Sequence, residues 1–277
     1  MFRDITIGQY YPGDSIIHKT DPRVKLLGVI VYIALLFIID NIWELILPAA
    51  MLFILIRISR VPISYILRGL KMLAVLIAFA VVFNLLFTEG ENVLWKWWAF
   101  TISREGILRA GFFAARLILV VLGASMLTYT TTPTTLTSGL EKALSPIGEL
   151  GFPVHELAMM MSIALRFIPI LTEEINKIIK AQLARGADFE SGGLIKKAKG
   201  MIPILIPLFV QAFKRASDLA TAMEARCYNG GSGRTKMHPL KYKRSDIISY
   251  SVIFAALALM IFVRIAADRA GIPGRVS

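Results

Sequence analysis

Long unbroken apolar runs restrict what this chain can fold into more than any other feature. They fall at about residues 25 to 39, 42 to 58, 66 to 87, 107 to 130 and 246 to 265. Crossing a hydrocarbon core of about 30 Å takes about 20 helical residues, so each run predicts one membrane span. Lipid offers the backbone no hydrogen-bond partners, and only helices or closed barrels satisfy it there. The runs lack the alternation of a barrel strand, which leaves an all-α, polytopic fold with about five transmembrane helices. At 56% hydrophobic residues and a mean hydropathy of +0.65, the chain is more apolar than soluble domains, which hold roughly 45–50%. The first two spans are short, and Asp40 and Asn41 between them read as the turn of a helical hairpin. The first 23 residues are polar and carry Pro12, Gly13 and Pro22, so no cleavable signal peptide is expected.

Lys and Arg number 31 against 19 acids. They are not interleaved with base-stacking aromatics, and no nucleic-acid partner is expected. Their placement follows topology instead. Arg3, Lys19, Arg23 and Lys25 precede or open the first span; Arg57, Arg60, Arg68 and Lys71 surround the turn after the second; residues 131 to 245 carry sixteen more. Positively charged loops stay in the cytoplasm. The N-terminus is therefore expected inside and, after five spans, the C-terminus outside.

Residues 131 to 245 are too many for a structureless connection, and their periodicity is helical. Leu157, Met161, Ala164, Ile168, Leu171, Ile175 and Ile178 recur every three or four residues, predicting a helix over 156–185. A second is predicted over 194–227, with Ile195, Ala198, Ile202, Leu205, Phe209, Ala212, Leu219 and Met223 on one side and bends at Pro203 and Pro207. Ser191, Gly192 and Gly193 form the turn between them, so the helices pack or cross through these faces. Stretches 157–171 and 201–210 are apolar but too short to span, and are expected as buried or interfacial helix. The domains are thus a membrane domain over 1–130, a cytoplasmic coupling domain over 131–245, and a last span with its tail over 246–277.

Each long helix ends alike, in Ala184-Arg185-Gly186 and in Ala225-Arg226-Cys227. Glycine releases a chain from a helix through left-handed geometry, and arginine in a last turn faces the negative end of the dipole. That alone explains one such ending. Two endings with a small alanine beside a planar guanidinium make slim basic tips suited to a groove in another protein, because arginine's rigid fork matches carboxylates.

Three segments carry a resemblance to a known family: Ser15-Ile16-Ile17-His18-Lys19-Thr20-Asp21-Pro22-Arg23-Val24-Lys25-Leu26-Leu27; Leu165-Arg166-Phe167-Ile168-Pro169 leading to Ala181-Gln182-Leu183-Ala184-Arg185-Gly186; and Ala222-Met223-Glu224-Ala225-Arg226-Cys227. In order and spacing the chain resembles the T component, the transmembrane subunit, of energy-coupling factor transporters, which are ABC-type importers of vitamins and other micronutrients in bacterial and archaeal plasma membranes. The resemblance implies two long crossed coupling helices, each docking its arginine tripeptide on one of two ATPase subunits. Arg185 and Arg226 would be the docking arginines, with Ala184, Gly186, Ala225 and Cys227 around them. It also implies a substrate-binding membrane partner, the S component. Met159, Met160 and Met161 suit such a contact because methionine repacks readily, although a methionine cluster in a helix is more often ordinary core. Thr20 stands where leucine is common in the family, and Cys227 where glycine or alanine is. ATP and Mg²⁺ would bind the partner ATPases, and no cofactor is expected in this chain.

No enzyme is expected. His18, His155 and His238 lie far apart, with no HExxH pair or GxSxG elbow. His18 reads as local packing of the N-terminal segment. Gly230-Gly231-Ser232-Gly233-Arg234-Thr235 is the nearest approach to a phosphate loop and lacks its lysine. Cys227 is the one cysteine, so no internal disulfide forms. The alternative is a self-sufficient secondary transporter or other multi-span permease, which would place ionisable residues near mid-membrane. Only Arg116 fits that pattern, by snorkelling or by pairing with a partner.

Overall fold

The computed structural model describes residues 10–87, 93–97, 100–148, 150–187, 193–230 and 240–269. The chain divides into two compact units: residues 8–139 with 240–277, and a unit that includes the inserted stretch 140–239.

In the first unit a short helix, α1 (Ile16–Lys19), precedes α2 (Pro22–Ile38). Asp21 caps α2, its carboxylate accepting the Arg23 N–H, and Pro22 occupies the first helical position, where its missing N–H is no loss. A 3₁₀ turn at Trp43–Leu45 leads to α3 (Ile46–Ser59), and α4 (Ile63–Phe87) follows. An antiparallel hairpin, β1 (Val93–Trp97) with β2 (Phe100–Ser103), joins α4 to α5 (Arg104–Thr130). This hairpin is the one addition to the helical architecture among the described residues, and it suits a segment rich in Val, Trp, Phe, Thr and Ile. Ser103 caps α5 by accepting the Gly106 N–H at 3.0 Å. The start of α6 (Pro133–Gly148) and α9 (Arg244–Arg269) complete this unit. Its core joins Leu36 and Ile39 near the end of α2 to Leu52 of α3, Ile66 of α4, Met126 and Tyr129 of α5, and Met260 of α9. Gly123 lets α5 close tightly on α2, for a Cβ there would lie 2.4 Å from the Tyr32 ring.

Outward side chains are as apolar as the core. Val75 is 80% and Phe79 67% exposed, a surface that belongs in lipid rather than water. Among the described residues, α5, the Arg244–Ile265 part of α9, and a helix of the inserted unit, α7 (Val154–Ala184), are long and apolar enough to cross a membrane. α4 is a fourth if its segments Ile63–Lys71 and Leu73–Leu86, which meet at 59°, count as one span. This differs from the five expected spans. The turn consumes the apolar residues around 42–45, leaving α2 with 17 residues and α3 with 14, or about 25 and 21 Å.

The inserted unit holds the rest of α6, then α7 and α8 (Leu194–Glu224). α7 and α8 are long helices of 31 residues each, where the periodicity places helices over 156–185 and 194–227. Val154, Ala158 and Ile204 are buried. Arg215 of α8 meets Glu174 of α7 at 3.8 Å.

Candidate functional site

The two helix tips terminate in the same way, down to single hydrogen bonds. After α7, Gly186 takes a left-handed φ of 81°. Its N–H donates to the Leu183 carbonyl and that of Ala187 to the Gln182 carbonyl, both at 3.0 Å. After α8, Cys227 takes the left-handed φ of 57°. Its N–H donates to Glu224 at 2.9 Å and that of Tyr228 to Met223 at 3.1 Å. This is the paired closure of a Schellman motif in each case. It assigns Arg185 and Arg226 to the same station, the last residue before the chain reverses. Ala184, Arg185, Gly186, Ala225, Arg226 and Cys227 are all exposed, and each guanidinium follows a small alanine. The Glu174–Arg215 pair lies eleven residues before Arg185 and eleven before Arg226, giving two arms of about 16 Å beyond that contact.

The methionine triplet is not one patch. Successive helical residues point about 100° apart; Met159 is half-buried while Met160 and Met161 are exposed. A wider apolar surface lies on α8, where Ile202, Leu205, Ile206, Phe209, Val210 and Phe213 are between 42% and 73% exposed. Three of these, Ile202, Leu205 and Phe209, belong to the face assigned by periodicity to helix packing. Residues 201–210 are apolar almost all round, and spacing cannot choose the inward side of such a helix. Among the described residues of this stretch, Ile204 turns in.

Two further clusters escaped sequence reasoning. In the first, arginines close the end of α2, which has no cap of its own. Arg116 of α5 donates to the Ile39 carbonyl and lies over the Phe112 ring at 4.4 Å. Arg264 of α9 donates to the Ile38 carbonyl and pairs with Asp40 at 3.3 Å. Cations at a helix C-terminus meet the negative end of its dipole and its unpaired carbonyls. Arg116 therefore pairs within the chain rather than snorkelling.

The second cluster surrounds the head of α2. His18 holds the segment before it: one ring nitrogen lies 2.7 Å from Ser15 Oγ and the other 3.0 Å from the Tyr11 carbonyl. A carbonyl only accepts, so Nε2 carries a proton, and burial pushes the His18 pKa down, against the opposing effect of the hydrogen bond the ring donates to the Tyr11 carbonyl. Lys25, Asp21 and Asp246 form the centre of the cluster. The one signal pointing to it was the density of polar residues in the N-terminal segment that carries the family likeness.

Helices of this length and an outer surface of this polarity define a multi-pass membrane protein. The cobalt transport protein family, CbiQ, matches residues 13–238. Curated relatives named energy-coupling factor transporter transmembrane protein EcfT match nearly end to end. That of Clostridium kluyveri is 50% identical over 266 residues, covering 96% of this chain and 98% of the relative. Those of Ruminiclostridium cellulolyticum and Acidaminococcus fermentans are 47% and 46% identical, covering 94% and 95% of this chain and 98% of each relative. The chain belongs to this CbiQ/EcfT family of transmembrane transport proteins.

Proposed function

We propose that this chain is the transmembrane coupling subunit of an energy-coupling factor importer for vitamins or other micronutrients. Two cytoplasmic ATPase subunits, which bind the ATP and Mg²⁺, dock on the tips led by Arg185 and Arg226. Their closure draws the tips together, and α7 and α8, crossing near Glu174 and Arg215, carry the motion toward the membrane. A helix of about 45 Å turns a small rotation at one end into several ångströms at the other. The observation that supports this reading best is the matched closure of the two tips, which presents two equivalent guanidiniums to two copies of one kind of groove.

In this reading the substrate-binding S component packs on Met160, Met161 and the exposed α8 stripe. The N-terminus and the inserted unit lie in the cytoplasm, α2 and α3 cross as a short pair to complete five spans, and the C-terminus lies outside. The apolar first half of α7 is interfacial, for its second half carries Glu173, Glu174, Lys177 and Lys180 toward the exposed tip. Arg116 is engaged on the Ile39 carbonyl, which argues against the ion relay that a secondary transporter would need.

Removing one side of a desolvated interfacial charge pair costs about 2–5 kcal/mol. Arg185→Glu with Arg226→Glu should therefore abolish co-purification of the ATPases while the chain still inserts. Retention of both ATPases and of transport would refute the docking assignment.

A further inference from the structure

Residues 15 to 25 carry part of the family likeness, yet the docking scheme gives them no task. The chain leaves the membrane unit for the inserted helices at Gly139 and returns at Leu240. Both passages are fastened to the head of α2.

On the outgoing side, Lys25 Nζ donates to the Thr130 carbonyl at 2.9 Å and to Thr131 Oγ1 at 3.2 Å, where α5 ends. Its third proton reaches the His18 carbonyl at 3.3 Å, so all three ammonium donors are used. A few residues on, Gly139 of α6 presses against Pro22; a Cβ there would stand 2.9 Å from the proline ring. On the returning side, Asp246 is 1% exposed. One of its oxygens accepts the Lys243 N–H at 2.7 Å, closing the first turn of α9, and the other accepts the Asp21 N–H at 2.9 Å. Asp21 in turn holds Arg23 through two contacts of 3.0 Å, and Arg23 lies 4.0 Å over the Tyr242 ring.

A loose tether would absorb motion of the inserted helices. These passages are tied instead by buried charges whose release would leave an uncompensated ion. Fully satisfied polar networks of this kind hold one geometry. We propose that the head of α2, from Asp21 to Lys25, is the fixed pivot through which the inserted helices act on the membrane unit, with Lys25 and Asp246 as positioning residues for the outgoing and returning chain. The assignment rests on the coupling role proposed above.

The test uses the purified complex with its co-purifying ATPases. ATP hydrolysis and amide exchange are followed with and without Mg-ATP, at the two tips and in the first turns of α2, α4 and α9. In the native complex ATP should alter exchange at both places. Lys25→Met should keep ATP hydrolysis and the response of the tips, while the response in the membrane unit shrinks at least about fivefold, the lower end for linked sites. Lys25→Arg, which keeps the charge and the donors, should restore it. A staple with no part in transmission would instead raise exchange equally with and without ATP; that result, or an undiminished response in Lys25→Met, overturns the pivot alone. If native tips do not respond to ATP, both the pivot and the coupling role fall. Should Lys25→Met fail to insert, Thr131→Val, which removes one acceptor, is read against the same outcomes.

Discussion

Cys227 sits where the chain needs a left-handed residue, and the matching position of the other tip holds glycine. An L-residue in that conformation costs roughly 1–2 kcal/mol, while glycine gives back about 0.5–1 kcal/mol through its greater freedom in the open chain. Cys227→Gly should therefore stabilise the closure by about 1 kcal/mol, or about fivefold in its opening equilibrium. Gly186→Ala should loosen the first tip by a similar factor, and among the described residues nothing lies within 4 Å of that position to complicate the exchange. Both tips are exposed, so the opening is local rather than global. The probes are the amides that close the caps, Tyr228 on Met223 and Ala187 on Gln182, followed by hydrogen exchange. Cys227→Gly should slow the Tyr228 amide about fivefold and leave Ala187 unchanged. An unchanged or faster Tyr228 amide would show that φ at residue 227 does not govern how this tip is held, and that the likeness of the two closures has no energetic content.

Gly123→Ala should destabilise the membrane unit by about 1–2 kcal/mol, since overpacking against the Tyr32 ring outweighs the roughly 1 kcal/mol gain in helix propensity. Gly111→Ala, with nothing within 4 Å, should stabilise instead; the two thermal midpoints in detergent should move in opposite directions. The segment around His18 should hold best above pH 6.5, the ordinary value for the ring. Below it the released segment takes up a proton that the docked, buried ring resists, so docking weakens as pH falls toward the lowered value. Limited proteolysis before residue 20 should accelerate between pH 7.5 and 5.5 by about the same factor that His18→Gln abolishes.

Local chemistry made a large part of this protein legible in its sequence. The long helices of the inserted unit declare themselves because one face repeats at helical spacing, and the tips because glycine and arginine have physical roles at a helix end. Spacing fails where a segment is apolar all round, which is why Ile202, Leu205 and Phe209 read by periodicity as a packing face although they are exposed. It also overstates helix length where a turn is built from apolar residues, as at Trp43 and Leu45, because hydropathy records the solvent of a side chain and not the direction of its backbone.

By itself the sequence determined that the chain lives in a membrane, that its long elements are helices, and that two of them end in basic tips, since each depends on neighbours within a few turns. Tertiary structure alone decided that Arg116 and Arg264 would close the end of α2 and that Asp246 would hold Asp21. Those partners lie 77, 226 and 225 positions apart along the chain, and hydrogen bonds of a few ångströms across such separations are chosen by how the helices stack.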